Sequence, residues 1–202
     1  MYRINVSEGK DYYSQRNNRI DPMNACQVTS LVMAASYVPR VWEAFIRSPY
    51  FSAYREYDQP EDRFHKAMLD WGMDPEVHGS LMSAFNRWVG SPLDFFSTMV
   101  SLGQVLDELQ KGLPVVMSGT FPGHPARMEK PYGHVVCLVG AEWDSDGPSG
   151  LPDRWIVDDP YGNTMDNWKG SGNDVPIPHH LFNAWMKACG DADCKWAHRF
   201  RV

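Results

Sequence analysis

Cys26 is the residue of this sequence best placed for covalent chemistry. It lies in "MNACQVTSLVMAASY", in which apolar residues recur at helical spacing. Asn24 is of a favoured capping type, so we expect Cys26 in the first turn of a helix. Unpartnered backbone N–H groups and the helix dipole stabilise a thiolate there, which is the nucleophilic form of cysteine. The helix alone favours a small buried core residue, so the case for a nucleophile depends on finding a base.

His134 is the histidine best placed to act as that base. It opens the most apolar segment, "HVVCLVGAEW", and a turn-rich loop separates this segment from "RWIVDDPYG". A hairpin is the simplest connection, and we expect it to set His134 directly opposite Asp159. The carboxylate could then hold one imidazole nitrogen, whereas Asp158 would point to the other face. A hydrogen-bonded core histidine, and a "DDP" that merely ends a strand, are the alternatives.

Acyl transfer also requires hydrogen-bond donors that face the developing oxyanion. The backbone N–H of Cys26, at the start of a helix, could supply one of them. The upstream segment "YYSQRNN" offers the side-chain amides of Gln15, Asn17 and Asn18 for a second. The sequence pattern alone assigns no role to Gln15.

The elements that must position these residues fall into two halves. The first half predicts helices over "VWEAFIRS", "PEDRFHKAMLDWG", "EVHGSLMSAFNRWVG" and "SLGQVLDELQKG". The second half predicts strands over "LPVVMSGTF" and the two hairpin segments, then a helix from about His180 and a final edge strand, "KWAHRF". This order predicts an α+β fold, with an N-terminal helical half packed on a C-terminal antiparallel sheet. We expect residues 1–202 to form a single domain.

Composition excludes several classes of function. The formal net charge is −6 and no run of Lys and Arg could follow a phosphate backbone, so we expect no nucleic-acid partner. The polar N-terminal residues predict no signal peptide, and no segment is long enough to span a membrane. We therefore expect a protein that is cytoplasmic on synthesis. In that compartment its four cysteines would stay reduced.

A second hypothesis is a zinc-stabilised module near the C-terminus. Its ligands would be Cys189, Cys194 and His198, together with His179 or His180. A disulfide between Cys189 and Cys194 would instead require an oxidising compartment.

One further observation is the order of five segments along the chain. "SQRNN", "NACQVTSLVMAASY", "LQKGLPVVMSG", "GHVVCLVG" and "WIVDDPYGN" follow one another from residue 14 to residue 163. In this order they resemble the papain-like cysteine peptidases of the C39-like group, in its free-standing phage and bacterial form. The resemblance implies a papain-like fold, with Cys26 as nucleophile, His134 as general base, Asp159 as orienter and Gln15 as oxyanion donor. It implies no cofactor and no metal.

Two positions depart from the family pattern. Gln27 follows Cys26 where the family usually has glycine, and Gln15 lies further upstream than the family's glutamine. The resemblance implies a cysteine hydrolase of peptide or amide bonds. Peptidoglycan stem peptides are one substrate class for such a lysin-like enzyme, acting at the cell wall or from a virion. The alternative is a catalytically inactive papain-like frame that serves as a binding or phage structural protein.

Overall fold

A computed structural model describes residues 1–122, 132–148, 150–186 and 194–202. Within these residues the chain forms an α+β fold. The helices are α1 (Cys26–Tyr37), α2 (Pro39–Arg47), α3 (Pro49–Ala53), α4 (Pro60–Asp70), α5 (His78–Val89), α6 (Leu102–Gln110) and α7 (His179–Trp185). The strands are β1 (Tyr2–Asn5), β2 (Asp94–Ser101), β3 (Val115–Phe121), β4 (Tyr132–Trp143), β5 (Arg154–Asp158), β6 (Val175–Pro178) and β7 (Cys194–Phe200).

Local sequence explains where the helices begin and end. Helices α2, α3 and α4 each begin at a proline, which fits the first turn because its missing N–H would have no helical partner there. A capping box between Ser101 and Gln104 starts α6. Gly90, in the left-handed conformation with φ of 69°, ends α5. These signals explain why α4, α5 and α6 fall within predicted segments, whereas α2 begins before its predicted segment, at Pro39, and α3 was not predicted.

The sheet corrects the prediction for the last strand. Its order is β2-β7-β3-β4-β5-β6, with β1 paired to β4, so β7 is an interior strand and not an edge. The reason is β2, which the sequence analysis did not predict and which pairs with β7 from Asp94↔Phe200 to Ser101↔Cys194. A register shift between Ser97 and Val100 interrupts β2, and such a break obscures the alternation by which a strand is recognised.

The hydrophobic core lies on both faces of the sheet. Val135, Cys137 and Val139 of β4 belong to one cluster, which includes buried residues of α1, α2, α4 and α5. Val136 and Leu138 belong to a second cluster, with buried residues of α6 and α7. This alternation is the two-residue period of a strand. Helices therefore cover both faces of the sheet, in the predicted α+β fold.

The layer that carries Cys26 is tied to the strand that carries His134. Ser30, one helical turn after Cys26, donates its hydroxyl to the carbonyl of Val135 at 2.9 Å in the buried interior. Because Val135 follows His134 directly, this bond fixes the start of α1 relative to the start of β4. No helix within the described residues is long and apolar enough to cross a membrane.

Candidate active site

Cys26 is the first residue of α1 and is 5% exposed. The residue before the helix is Ala25, which offers no capping side chain. Asn24, the predicted cap, instead donates its side-chain amide to Asp21 at 2.9 Å. The predicted cap, Asn24, therefore lies one residue before the observed cap position, Ala25. Cys26 nevertheless lies in the first turn, where backbone N–H groups have no helical acceptor.

His134 and Asp159 form a buried pair beside the start of α1. Nε2 of His134 lies 2.7 Å from Oδ1 of Asp159, and neither side chain is exposed to solvent. The same carboxylate oxygen accepts the backbone N–H of Tyr161 at 3.0 Å, which fixes its orientation. Cys26 lies close enough to the imidazole to act on its pKa. Since Nε2 faces the carboxylate, Nδ1 is the ring nitrogen that remains for the thiol.

The register of the β4–β5 pair differs from the predicted hairpin. Cys137 lies opposite Asp158, so the continued register sets Asp159 beside Val136 and not opposite His134. A shift of two residues leaves every side chain on the same face of a sheet. Asp159 is therefore the diagonal neighbour of His134, and a carboxylate at the strand end still reaches the ring.

The charges around His134 favour its protonated form. Burial alone lowers the pKa of His134. Asp159 acts in the opposite direction through its charge and its hydrogen bond, and Cys26 adds a smaller contribution of the same sign. Together they hold the pKa of His134 above its ordinary range. An imidazole in this setting can hold a proton beside a thiolate.

Two aromatic rings shield the pair from water. Phe121 and Trp168 each lie 5.2 Å from the His134 ring and present themselves edge to face, at 89° and 80°. Trp168 is 3% exposed, and its indole N–H donates to the carbonyl of Pro122 at 3.3 Å. The sequence analysis missed Trp168, because "TMDNWKGSG" lacks helical or strand periodicity. An aromatic residue within such a polar turn is the only signal that could have indicated it.

A comparison with protein families decides what this chain is related to. The model of the Peptidase_C39 like family matches residues 8–175, which include all four predicted site residues. The chain belongs to the Peptidase_C39 like family. The chain also resembles a crystal structure of a candidate C39-like peptidase from Bacillus anthracis, with a TM-score of 0.58 and 15% identity. The match covers 100% of this chain and 98% of that one, and it shows a common fold. No curated protein sequence matches the chain.

Gln15 of this C39-like chain lies in a short 3-10 helix, Gln15–Asn17, and is fully buried. Its amide nitrogen donates to the carbonyls of Pro22 at 3.0 Å and Met23 at 3.3 Å. These contacts hold the segment that leads into Cys26. Service as an oxyanion donor requires the amide to turn from these carbonyls toward the sulfur.

Asp158 of the C39-like fold faces away from His134. Its carboxylate accepts the hydroxyl of Tyr37 and the backbone N–H of Asp174, each at 2.7 Å. Burial raises the pKa of Asp158 to about 6, although these two hydrogen bonds act against the rise. Asp158 therefore supports the far end of α1, and Asp159 is the carboxylate that contacts the histidine.

Replacing Tyr37 with Phe should destabilise the protein by about 1–3 kcal/mol near pH 7.5, because the buried Asp158 carboxylate loses a donor. The raised pKa means that the folded state takes up a proton more readily than the unfolded state. The contribution of Asp158 to stability therefore rises as the pH falls from about 6 toward about 4. Because a protonated Asp158 depends less on the Tyr37 hydroxyl, the cost of Tyr37→Phe should shrink at about pH 5. Urea unfolding at both pH values measures this.

Tyr50→Phe, in α3, is the matched control for this experiment. Among the described residues no hydrogen bond of the Tyr50 hydroxyl is found, so its loss should change the free energy of unfolding by less than about 0.5 kcal/mol. An equal cost of Tyr37→Phe at both pH values would contradict the assignment of this bond.

The zinc hypothesis loses one of its ligands. Nδ1 of His198 lies 2.8 Å from the Asp94 carboxylate, and Nε2 lies 3.0 Å from Nδ1 of His78. Both ring nitrogens are thus engaged, and a metal would have to displace one of these partners. Cys189 lies outside the described residues, and no group of three metal-ligating side chains is found among those described.

Proposed function

We propose that this chain is a cysteine hydrolase of peptide or amide bonds. Cys26 is the nucleophile, His134 the general acid and base, and Asp159 the group that orients the imidazole. The observation that carries the proposal is the 2.7 Å contact between buried His134 and Asp159, with Cys26 at a helix start and near enough to the imidazole to act on its pKa. Membership of a peptidase family supports the same reaction class.

The reaction would proceed in two halves. The Cys26 sulfur attacks the carbonyl carbon, and the backbone N–H of Cys26 stabilises the resulting oxyanion. The C–N bond then breaks as the imidazolium of His134 gives its proton to the departing amine, which leaves a thioester on Cys26. Water, deprotonated by His134, attacks the thioester, and the C–S bond breaks to release the acid and restore the thiol.

Gln15 is the second oxyanion donor in this proposal. Its amide nitrogen already points into the segment before Cys26, where it holds the Pro22 and Met23 carbonyls. If the Gln15 amide exchanged one of these hydrogen bonds for one to the oxyanion, it would stabilise the substrate only when negative charge develops on the carbonyl oxygen. Such a contact favours the transition state over the bound substrate.

Peptidoglycan stem peptides are the substrate class that we propose to test first. The screen compares the purified protein with Cys26→Ala on peptidoglycan and on model peptides, and products are identified by mass. We expect new termini from the wild-type protein only. A thiol-reactive acyl electrophile should label Cys26 and leave Cys137 unlabelled, because Cys137 is fully buried and burial raises its pKa.

The alternative is a papain-like frame without catalytic activity. It predicts that His134→Ala leaves the labelling rate of Cys26 unchanged and that no substrate yields products. The hydrolase is supported if Cys26→Ala and His134→Ala both fold and both lose hydrolysis, or if His134→Ala folds and labels Cys26 more slowly.

A further inference from the structure

Arg16 is an exposed side chain that connects three parts of the candidate active site. We propose that Arg16 is a positioning residue for the hydrolase: it holds Trp168 over His134 and fixes the turn that carries Asp159. This inference rests on the proposed function.

The guanidinium of Arg16 is enclosed by the turn that follows Asp159. Its Nη2 donates to the carbonyl of Trp168, and its Cζ lies 4.7 Å from the centre of the Tyr161 ring. Gly162 lies directly beneath it, with φ of 145°, and a Cβ at this position would come within 2.7 Å of Nη2. Glycine in "DPYG" therefore leaves the space through which Arg16 reaches the Trp168 carbonyl.

Trp168 needs such an anchor because its backbone is strained. Its φ is 65°, in the left-handed region that a bulky residue rarely adopts without support from its surroundings. The Arg16 contact holds the carbonyl of this residue, while Pro122 holds the indole N–H. Together the two contacts keep the ring against His134 and exclude water from the buried ion pair.

The stacking partner of Arg16 acts on the other member of the pair. Tyr161 donates its backbone N–H to Oδ1 of Asp159, the oxygen that also faces His134. A guanidinium above the Tyr161 ring restrains this residue, and therefore restrains the carboxylate. One exposed side chain thus supports both His134 and Asp159 without contacting either.

Neighbouring residues make the same connection through shorter groups. Gln15 donates its backbone N–H to the carbonyl of Pro160 at 2.9 Å, and the Ser14 hydroxyl reaches this oxygen at 3.3 Å. The Tyr12 hydroxyl donates to the Asp159 carbonyl at 2.6 Å. Residues 12–16 therefore lie along residues 159–161, and Arg16 extends the contact to Trp168.

Lysine should replace Arg16 only in part. A lysine ammonium could still donate to the Trp168 carbonyl, but it lacks the planar fork that can donate and stack on Tyr161 at once. The order of activity Arg, then Lys, then Ala is the expected signature of positioning by this group.

The experiment compares Arg16→Ala and Arg16→Lys with wild type and with Arg19→Ala. Arg19 lies in the same segment, but its guanidinium contacts Glu56 and Asp58 instead of the turn after Asp159. We expect Arg16→Ala to lower kcat/KM by about 10–100-fold and Arg19→Ala to leave it unchanged. The alkaline limb of the pH profile should move to lower pH in Arg16→Ala, because a hydrated Asp159 holds the imidazolium less strongly.

Alkylation of Cys26 by iodoacetamide separates the two proposals. If the wild-type protein shows no His134-dependent alkylation at about pH 6, the hydrolase proposal fails, and the role of Arg16 fails with it. If the wild type does react in this way, and Arg16→Ala folds and matches it in rate and pH profile, only the Arg16 proposal is overturned. Should Arg16→Ala fail to fold, Arg16→Lys decides: a folded variant with reduced kcat/KM supports the proposal, and one with wild-type kcat/KM contradicts it.

Discussion

Alanine at Cys26 and alanine at His134 should each lower kcat by at least about 10⁴-fold, and the double variant should be no slower than either single one. The reason is that the two groups act as a unit. Without the imidazole, the thiol is not activated and the leaving amine has no proton donor. Without the thiol, the imidazole has no nucleophile to activate. Steady-state kinetics on a peptide that the wild-type protein cleaves provide the measurement.

Cys194→Ala is the matched control, because Cys194 lies in β7 and has no part in the proposed chemistry. Its kcat should equal that of wild type. Additive losses in the double variant would mean that Cys26 and His134 act independently, which would contradict the proposed thiol–imidazole pair.

Replacing Gly172 with Ala should destabilise the protein by more than about 3 kcal/mol, among the largest costs for a single methyl group. An added Cβ would overlap the carbonyl oxygen of Asp159, and it would approach the Tyr12 hydroxyl to 2.9 Å. The obstacle is backbone, which cannot turn aside as a flexible side chain does. The backbone of Gly172 and Asp159 is also joined by an N–H···O bond of 2.8 Å, so relief of the clash must displace Asp159.

Gly170→Ala separates this steric cost from the conformational cost of losing a glycine. Gly170 has φ of 65° and open space where the Cβ would be, so alanine there should cost only about 1–2 kcal/mol. Thermal unfolding gives both values. Equal losses of unfolding free energy in Gly172→Ala and Gly170→Ala would contradict this prediction, because they would mean that the backbone of Asp159 moves away from the added methyl group at little cost. In that case kcat of Gly172→Ala should stay near that of wild type.

The sequence was informative wherever one local signal decided the structure. Periodicity and flanking proline or glycine indicated the main helices, and the apolar run from His134 indicated the central strand. The choice of Asp159 over Asp158 followed from alternation along a strand, and Asp159 is the carboxylate that contacts His134 although the predicted register was displaced. An error of two residues is harmless to a face assignment, whereas an error of one would have reversed it.

What the sequence could not indicate depends on contacts between distant residues. Strand β2 is recognisable only through its pairing with β7, and Trp168 reaches His134 because Arg16 supports an unfavourable backbone conformation. The present orientation of the Gln15 amide is a similar case. Its carbonyl partners at Pro22 and Met23 are set by how residues 16–25 fold back, and no local pattern specifies this path.

The interior position of β7 has a consequence for synthesis of the protein. Strands β2 and β3 are neighbours of β7 on either side, although about a hundred residues separate β2 from it along the chain. A nascent chain whose β7 is still inside the ribosome would expose the hydrogen-bonding edges of both β2 and β3. Completion of the sheet must therefore wait until β7 has been synthesised, and chains truncated before β7 should tend to aggregate.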